Sequence, residues 1–174
     1  MEGNREGYRV VRGIKEGVVA DHLPVRSGRR VLDVLEKIAE ERGFELGRRV
    51  LLECTDSRKY GRKDIIKVEG LKYLPKEVEI TIALLRPEDP PTINKIENWK
   101  VVEKYKPQLP ERFSTNFLRC PHPDCITNSE GEQKHFGPHV QREFEITRYN
   151  GKFLIRCLYC NTLFSPKEIP DLIG

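Results

Sequence analysis

The N-terminal part of the chain contains short apolar segments and, between the first two, a longer segment in which apolar residues recur at helical spacing. Five short segments with apolar side chains, β-branched at two or more positions in all but the second, predict strands: residues 8–14, 48–54, 63–69, 92–98 and 99–105. Between the first two, Val31, Leu35 and Ile38 recur at helical spacing and predict a helix with one core-facing stripe. Ser27 is the expected N-cap of this helix and Gly43 the expected stop after its last turn.

The segment PKEVEITIALL fits two periods at once. Val78, Ile80 and Ile82 alternate as in a strand, although the same segment also carries a helical stripe. Pro75 at a first helical position, between strands on either side, favours the helix. The resulting order, β-α-β-β-α-β with an extra strand, fits a ferredoxin-like α/β sandwich, which we place at residues 1–106.

Four of the five cysteines lie in two close pairs near the end of the chain. The pairs are Cys120 with Cys125, and Cys157 with Cys160. Such short spacings let both thiolates of a pair reach one ion, and two pairs complete a tetrahedral zinc site. Strands flanking the pairs predict a small zinc-bound β-barrel over residues 107–174, so the whole chain is predicted to be α+β.

A zinc ion held by four thiolates has no open position for water or substrate, so the predicted role of the metal is structural. The spacing alone leaves disulfides, or four unrelated buried cysteines, as alternatives. The remaining cysteine, Cys54, is predicted to be a small buried strand residue. Residues 128–139 are polar and contain glycine, which predicts a loop between the pairs.

The net charge differs between the two predicted domains. The formal net charge is +4, and the segment from Glu111 onward has eight basic and eight acidic residues, so the excess belongs to the first domain. This excess suits a small polyphosphate ligand better than a long nucleic acid. Neither a membrane span nor a signal peptide is evident in the sequence, and we expect a cytoplasmic protein with no membrane partner.

One predicted strand carries a candidate ligand platform. Lys63, Ile65 and Lys67 alternate along it and therefore share one face, which is half cationic and half apolar. Lys104, near the end of the last predicted strand of the first domain, is a candidate third cation. The acidic and imidazole side chains of the Asp-His pair at positions 21 and 22 are adjacent, so on a regular strand they would point to opposite faces.

Longer segments make a family resemblance visible. GIKEGVVADHLP, GRKDIIKVEG, PTINKIENWKVVEKYKPQLPERF, CPHPDCIT and CLYC occur in this order between about Tyr8 and Phe164. In sequence and order, they closely resemble the regulatory chain of aspartate carbamoyltransferase. The resemblance covers nearly the whole chain, and its GRKDIIK, TIN-x-I and cysteine motifs are specific.

The resemblance implies a non-catalytic regulatory subunit that acts in pyrimidine nucleotide biosynthesis. Its N-terminal domain would bind nucleoside triphosphate effectors, CTP and ATP with UTP as a further candidate, and would pair with a second copy of the chain. Its zinc domain, with one structural Zn²⁺ per chain, would dock on trimers of the catalytic chain. Nucleic acid has no place among these partners.

The resemblance also assigns residues. Asp21 and His22 match nucleotide-contacting positions, Lys67 a lysine near the ribose, Asn94 an asparagine near the phosphates and Lys104 a phosphate-binding lysine. A further set matches positions around the base and ribose: Val11, Arg12, Ile14, Val19, Ile65, Ile96, Trp99 and Val101. Beside the zinc ligands the chain departs from the usual family residues: His122, Asp124 and Asn161.

Two other functions fit parts of the sequence. A basic protein with a four-cysteine site could be a nucleic-acid-binding zinc ribbon, but its zinc half has no excess positive charge. The C-x-x-C of Cys157 and Cys160 could be a redox motif, but the first cysteine pair would then have no role.

Overall fold

The computed structural model describes residues 13–128 and 140–173. The N-terminal elements are β1 (Gly17–Leu23), α1 (Gly28–Arg42), β2 (Arg49–Ser57), β3 (Gly61–Glu69), α2 (Lys76–Leu85), β4 (Thr92–Glu97) and β5 (Lys100–Tyr105). The five strands form one antiparallel sheet in the order β2-β3-β1-β4-β5. This order confirms the predicted ferredoxin-like sandwich, with β5 as the extra strand at one edge.

The first predicted strand does not match the first described one. Of residues 8–14, positions 8–12 lie outside the described part of the chain, and residues 13 and 14 are not in a strand. β1 instead occupies GVVADHL and lies between β3 and β4 at the centre of the sheet. The polar Asp-His end of this segment interrupts its apolar pattern, so the sequence does not predict the strand. In the structure, pairing with a neighbouring strand on each side defines it.

Both helices cover the same face of this sheet. Val18 and Ala20 of β1 are buried there, with the stripe of α1 at Val31 and Leu35 and with Val78 of α2. Burying one such side chain fully stabilises the fold by roughly 1.5–3 kcal/mol. Because side chains alternate along a strand, the residues between these core positions point to the opposite face.

Asp64 joins the helix layer to the sheet. Its fully buried carboxylate accepts a hydrogen bond from the backbone N–H of Gly28, the first residue of α1, at 3.1 Å. It accepts a second from the N–H of Cys54 at 3.0 Å. A carboxylate at a helix N-terminus satisfies a free N–H and interacts favourably with the helix dipole. A Cβ on Gly28 would lie 2.6 Å from Leu51 Cδ1 and 3.1 Å from Asp64 Cβ, so a larger residue here would displace the end of the Leu51 side chain and crowd Asp64.

The C-terminal half forms a second antiparallel sheet. Its elements are β6 (Arg112–Ser114), a 3₁₀ turn (Ile126–Asn128), β7 (Glu143–Tyr149), β8 (Lys152–Cys157), β9 (Leu163–Phe164), a second 3₁₀ turn (Pro166–Glu168) and α3 (Ile169–Leu172). The strands pair in the order β6-β7-β8-β9. Phe144, fully buried, stacks on Phe113 and meets Phe164 edge-on, with ring centroids 5.6 and 5.9 Å away. The predicted α+β class is confirmed.

The two halves are fastened together. Their buried side chains form one continuous cluster, against which Leu109 of the connecting segment also packs. The N–H of Ile146 in β7 donates to the carbonyl of Glu111 at 2.8 Å, and Lys106 pairs with Asp89. The Pro-containing segment that connects the halves, residues 106–113, is therefore held by contacts on both sides. The boundary between residues 106 and 107 stays a prediction.

Candidate functional site

The four paired cysteines meet in one cluster, the cysteine quartet. Each offers one sulfur, and the four sulfurs lie within 4.8 Å of one another. Cys120 and Cys160 have sulfurs 3.4 Å apart, and Cys125 and Cys157 have sulfurs 3.8 Å apart. A tetrahedral zinc ion with four thiolates has sulfurs about 3.8 Å apart, which follows from a Zn–S distance of about 2.3 Å. All four are free thiols, which rules out the disulfide alternative.

Local hydrogen bonds shape the two turns that present the sulfurs. In the first turn the N–H of Cys125 donates to the carbonyl of His122 at 3.1 Å. The side-chain amide of Asn128 donates to the carbonyls of Cys120 and His122 at 2.7 and 3.0 Å. In the second turn Asn161 has φ 62°. Asparagine tolerates this left-handed conformation better than most residues, which explains its place directly after the last cysteine.

Two threonines, missed by the sequence analysis, contact the quartet. The hydroxyl of the fully buried Thr127 lies 3.1 Å from the sulfur of Cys125. The hydroxyl of Thr162 lies 3.2 Å from the sulfur of Cys160. Each threonine follows the second cysteine of its pair by two residues, so the repeated C-x-T pattern was a signal available in the sequence. Hydroxyl groups beside metal-binding sulfurs orient them and stabilise the thiolate form.

Burial makes the quartet expensive to ionise without a cation. It raises the pKa of Cys120 and of Cys157. At Cys160 burial also opposes ionisation, but hydrogen bonds led by that of Thr162 outweigh it and lower the pKa to about 6. Four clustered thiolates, three of them buried and that of Cys160 half-buried, can coexist only around a cation, and their number and geometry fit Zn²⁺. The prediction of one structural zinc ion is confirmed by this cluster and by the family match reported below.

The predicted nucleotide residues lie mainly on the sheet face opposite the helices, which we call the outer face. Strand register places Val19 between Lys67 of β3 and Asn94 of β4, and Asn94 opposite Lys104 of β5. These four residues therefore form one row across four strands. The side-chain amide of Asn94 also donates to the carbonyl of Val19 at 3.4 Å. Burial lowers the pKa of the Lys67 ammonium group.

Asp21 and His22 lie at one end of this face, and the expectation that they point to opposite faces is wrong. His22 has φ 67°, and the register between β1 and β3 shifts at this point. The bulge brings the imidazole Nδ1 to 3.4 Å from the Asp21 carboxylate. Lys63 reaches the same carboxylate at 2.8 Å. Three predicted residues thus form one charged group at the end of the outer face.

The predicted apolar contacts lie towards the other end. Ile96 pairs with Val101 across β4 and β5, and both flank the turn that carries Trp99. Trp99 is 66% exposed, and its ring lies beside Gly13. Ile14 is buried, and Ile65 is half-buried on β3. The predicted contacts Val11 and Arg12 lie outside the described residues.

Tyr60 and Arg86 also reach the charged end, although no local pattern singled them out. The Arg86 guanidinium lies 3.8 Å from the centroid of the Tyr60 ring, and this ring meets the imidazole of His22 edge-on at 5.6 Å. Tyr60 comes from the turn between β2 and β3, and Arg86 follows α2 directly. Only the tertiary fold brings these two segments together, which is why the sequence analysis missed them.

The predicted burial of Cys54 is wrong. This residue is exposed and has φ 53° at a point where the pairing of β2 with β3 shifts register. The bulge turns its backbone N–H towards Asp64. None of the helices within residues 13–128 and 140–173 has the length and hydrophobicity needed to cross a membrane.

Comparison with known proteins covers both halves. Residues 9–108 match the family described as aspartate carbamoyltransferase regulatory chain, allosteric domain. Residues 113–170 match the family described as aspartate carbamoyltransferase regulatory chain, metal binding domain. The two family matches together thus cover most of the described chain.

Relatives of the same description are similar over nearly their whole length. The aspartate carbamoyltransferase regulatory chain of Pyrococcus horikoshii is 39% identical over 91% of this chain and 94% of its own. That of Aeropyrum pernix is 39% identical over 100% of this chain and 99% of its own, and that of Hyperthermus butylicus 37% over 95% and 94%. The prediction of a regulatory rather than catalytic subunit is confirmed, and the chain belongs to the aspartate carbamoyltransferase regulatory chain family.

Proposed function

We propose that the outer face binds a nucleoside triphosphate, with CTP, ATP and UTP as the candidate effectors. The observation that carries this proposal is the row formed by Lys67, Val19, Asn94 and Lys104, which ends beside the charged group at Asp21. Amide and ammonium groups on a half-apolar sheet can hold a ribose and neutralise phosphates.

The polarity of the outer face supports one orientation of the ligand. Its apolar end carries Ile96, Val101 and Trp99, whereas its other end carries Lys63 and His22. From Gly17 to Asp21 the central strand advances about 13 Å, since a strand rises roughly 3.3 Å per residue. An extended nucleoside triphosphate spans a similar distance, with its base at the apolar end and its phosphates at the cationic end.

Titration of the full zinc-loaded chain with CTP and ATP tests this assignment. Lys104→Ala removes one ammonium group from the row, and we expect CTP to bind about tenfold more weakly by calorimetry. Lys100→Ala is the matched control, because Lys100 lies on the same strand but opposite Glu97. If neither nucleotide binds the parent chain, or if both variants bind CTP equally well, the outer face is not the effector site.

The zinc half is proposed to dock on the catalytic chain of aspartate carbamoyltransferase, and the N-terminal half on a second copy of this chain. Tyr159 lies between the last two cysteines and is 42% exposed, and Leu163 is 50% exposed on β9. Apolar side chains held rigidly beside a metal are suited to a docking surface. In the N-terminal sheet the outer edges of β2 and β5 carry no strand partner within the described residues and can pair with another copy.

In this assembly, effector binding at one end of the chain biases the catalytic partner at the other. A ligand can do so only through different affinities for two states of the complex, typically a coupling of about 1–3 kcal/mol. We place the complex in the cytoplasm, where cysteine thiols stay reduced and available for zinc.

Mixing the chain with catalytic trimers tests the docking proposal. Size-exclusion chromatography with light scattering should show a larger assembly. For Tyr159→Ala, we expect the protein concentration needed for the same degree of assembly to rise by about tenfold or more. Tyr149→Ala is the control, since Tyr149 is 66% exposed but lies at the hairpin end of β7. Separate elution of the unmodified chains at all concentrations would rule out the partner.

A further inference from the structure

Arg86 is held in a fixed position beside the charged end of the outer face. Its guanidinium stacks on the Tyr60 ring at 3.8 Å, and its Nη1 donates to the carbonyl of His22 at 3.4 Å. It is the C-cap residue of α2, directly after Leu85, which is buried in the core. Its backbone is thus anchored by the helix and its side chain by an aromatic ring.

Tyr60 is in turn held from three sides. One face carries Arg86, the imidazole of His22 approaches at 5.6 Å, and the phenol hydroxyl donates to the Asp89 carboxylate. Asp89 also accepts from Lys59 and Lys106, and these contacts hold the pKa of its carboxyl group well below the usual range. The ring therefore stays where it can orient a guanidinium, rather than moving freely on the surface.

The charges at this end are unbalanced. Lys63, Lys104 and Arg86 all lie close enough to His22 to disfavour its protonated form, whereas within residues 13–128 and 140–173 the carboxylate that acts against them is that of Asp21. That carboxylate is already engaged by Lys63 at 2.8 Å. An anionic group placed here would meet more positive than negative charge, and a planar guanidinium can bind two phosphate oxygens at once.

We propose that Arg86 binds the terminal phosphates of the effector, that Tyr60 positions it, and that the pair makes the site selective for nucleoside triphosphates over monophosphates. The inference rests on the proposed function of the outer face. It adds that the site distinguishes its ligands by their terminal phosphates. Lys67 would contact the nucleoside end equally in both ligands, because it lies four residues along β3 from Lys63 of the charged group.

Calorimetric titration of the full zinc-loaded chain with CTP and with CMP tests the proposal. For Arg86→Met we expect the CTP affinity to fall about tenfold or more and the CMP affinity to change less than about twofold. Arg30→Met is the control, because it removes the same charge from an exposed position on α1, on the opposite side of the sheet. Arg86→Lys keeps the charge but not the planar group, and should lose CTP affinity to an intermediate extent.

Tyr60 is tested as a positioning residue. Tyr60→Leu removes the ring and should lower the ratio of CTP to CMP affinity by several-fold, whereas Tyr60→Phe keeps the ring and should preserve most of the ratio. Circular dichroism verifies that each variant is folded, and Arg86→Lys replaces Arg86→Met if the latter is not. Equal CTP-to-CMP ratios in the parent, Arg86→Met and Arg86→Lys chains would overturn the inference while leaving nucleotide binding in place. Absence of CTP binding by the parent chain would overturn the proposed function as well.

Discussion

The cysteine quartet and the outer face are two sites built in opposite ways. Each half of the quartet comes from one short turn, and the four sulfurs close around a single point. The outer face takes its residues from β1, β3, β4 and β5, two or three from each, and leaves them open. A closed metal centre fails as a unit when one ligand is lost. An open face loses one contact at a time.

The two sites also differ in their relation to the core. Cys120, Cys125 and Cys157 are buried within the same apolar cluster as Phe144, so the metal is part of the packing of its domain. On the N-terminal sheet, by contrast, core residues and outer-face residues alternate along each strand. Zinc binding and folding should therefore be inseparable, whereas nucleotide binding and folding should be separable.

The largest expected effect is that of Cys157→Ser, which removes one ligand of the quartet. Structural zinc contributes roughly 10–16 kcal/mol to folding in small zinc peptides. This is of the same size as the whole stability of a typical domain, about 5–15 kcal/mol. We expect the purified variant to carry little zinc by metal analysis and to lose amide protection in β7 and β8. Full zinc retention with a native exchange pattern would contradict a four-thiolate site.

Cys54→Ser is the control for this experiment. Cys54 is an exposed free thiol on β2, far along the chain from the quartet, so its removal should leave the zinc content unchanged. Because the buried cluster is continuous between the halves, some loss of protection in α2 is also expected for Cys157→Ser. If β7 and β8 unfold while α2 keeps full protection, the halves fold more independently than their packing indicates.

A smaller effect is expected from Asp64→Ala, which tests the separation of folding from binding on the N-terminal sheet. The change leaves the buried N–H group of Gly28 and the part-buried N–H group of Cys54 without their acceptor. We expect the free energy of urea unfolding to fall by about 2–4 kcal/mol, since each buried unsatisfied group costs about 1–3 kcal/mol. CTP affinity of the folded variant should hardly change, because Asp64 lies on the helix face of β3.

Asp33→Ala is the matched control. Asp33 pairs with Arg29 on the exposed side of α1, and such a pair contributes about 0–1 kcal/mol. Equal unfolding free energies for the two variants would show that Asp64 does not stabilise the start of α1. A large loss of CTP affinity for Asp64→Ala at a temperature where it is folded would show that the two faces of the sheet are coupled.

Sequence reasoning predicted the quartet fully and the outer face only in part. Cysteine spacing carries the geometry of the quartet, because two to four intervening residues already determine which sulfurs can share an ion. Both helices were also predicted, since their apolar stripes, the stop at Gly43 and the start at Pro75 are local signals. In each case the deciding interactions span one or two turns of chain.

What the sequence did not reveal depends on register and tertiary contact. The bulge at His22 reverses the direction of one side chain, and the bulge at Cys54 exposes a residue predicted to be buried. The stacking of Arg86 on Tyr60 joins a helix end to a hairpin turn. No periodicity within a segment encodes a register shift or the approach of a distant segment, so these features emerge only from the folded chain.

The smallest effect concerns the protonation of His22. Burial lowers the pKa of its imidazole, and the nearby Lys63 and Lys104 lower it further, although Asp21 acts in the opposite direction. The folded chain therefore holds this proton less tightly than the unfolded chain, whose histidine pKa is about 6.5. The contribution of the neutral His22 imidazole to the stability of the folded chain is therefore fully present above pH 6.5. It is lost as the pH falls through the lowered folded-state pKa.

Phosphate at the charged end would reverse this preference, because a nearby anion raises the pKa of the imidazole. CTP binding should then take up protons, and its affinity should increase by a few-fold as the pH falls from about 7.5 to 6. His22→Asn keeps a residue that tolerates φ 67° and removes the titrating group. The terminal phosphate titrates in the same range, so the difference between the two chains is the measured quantity. Identical pH profiles by calorimetry would place the phosphates away from His22. They would also contradict the ligand orientation derived from the polarity of the outer face.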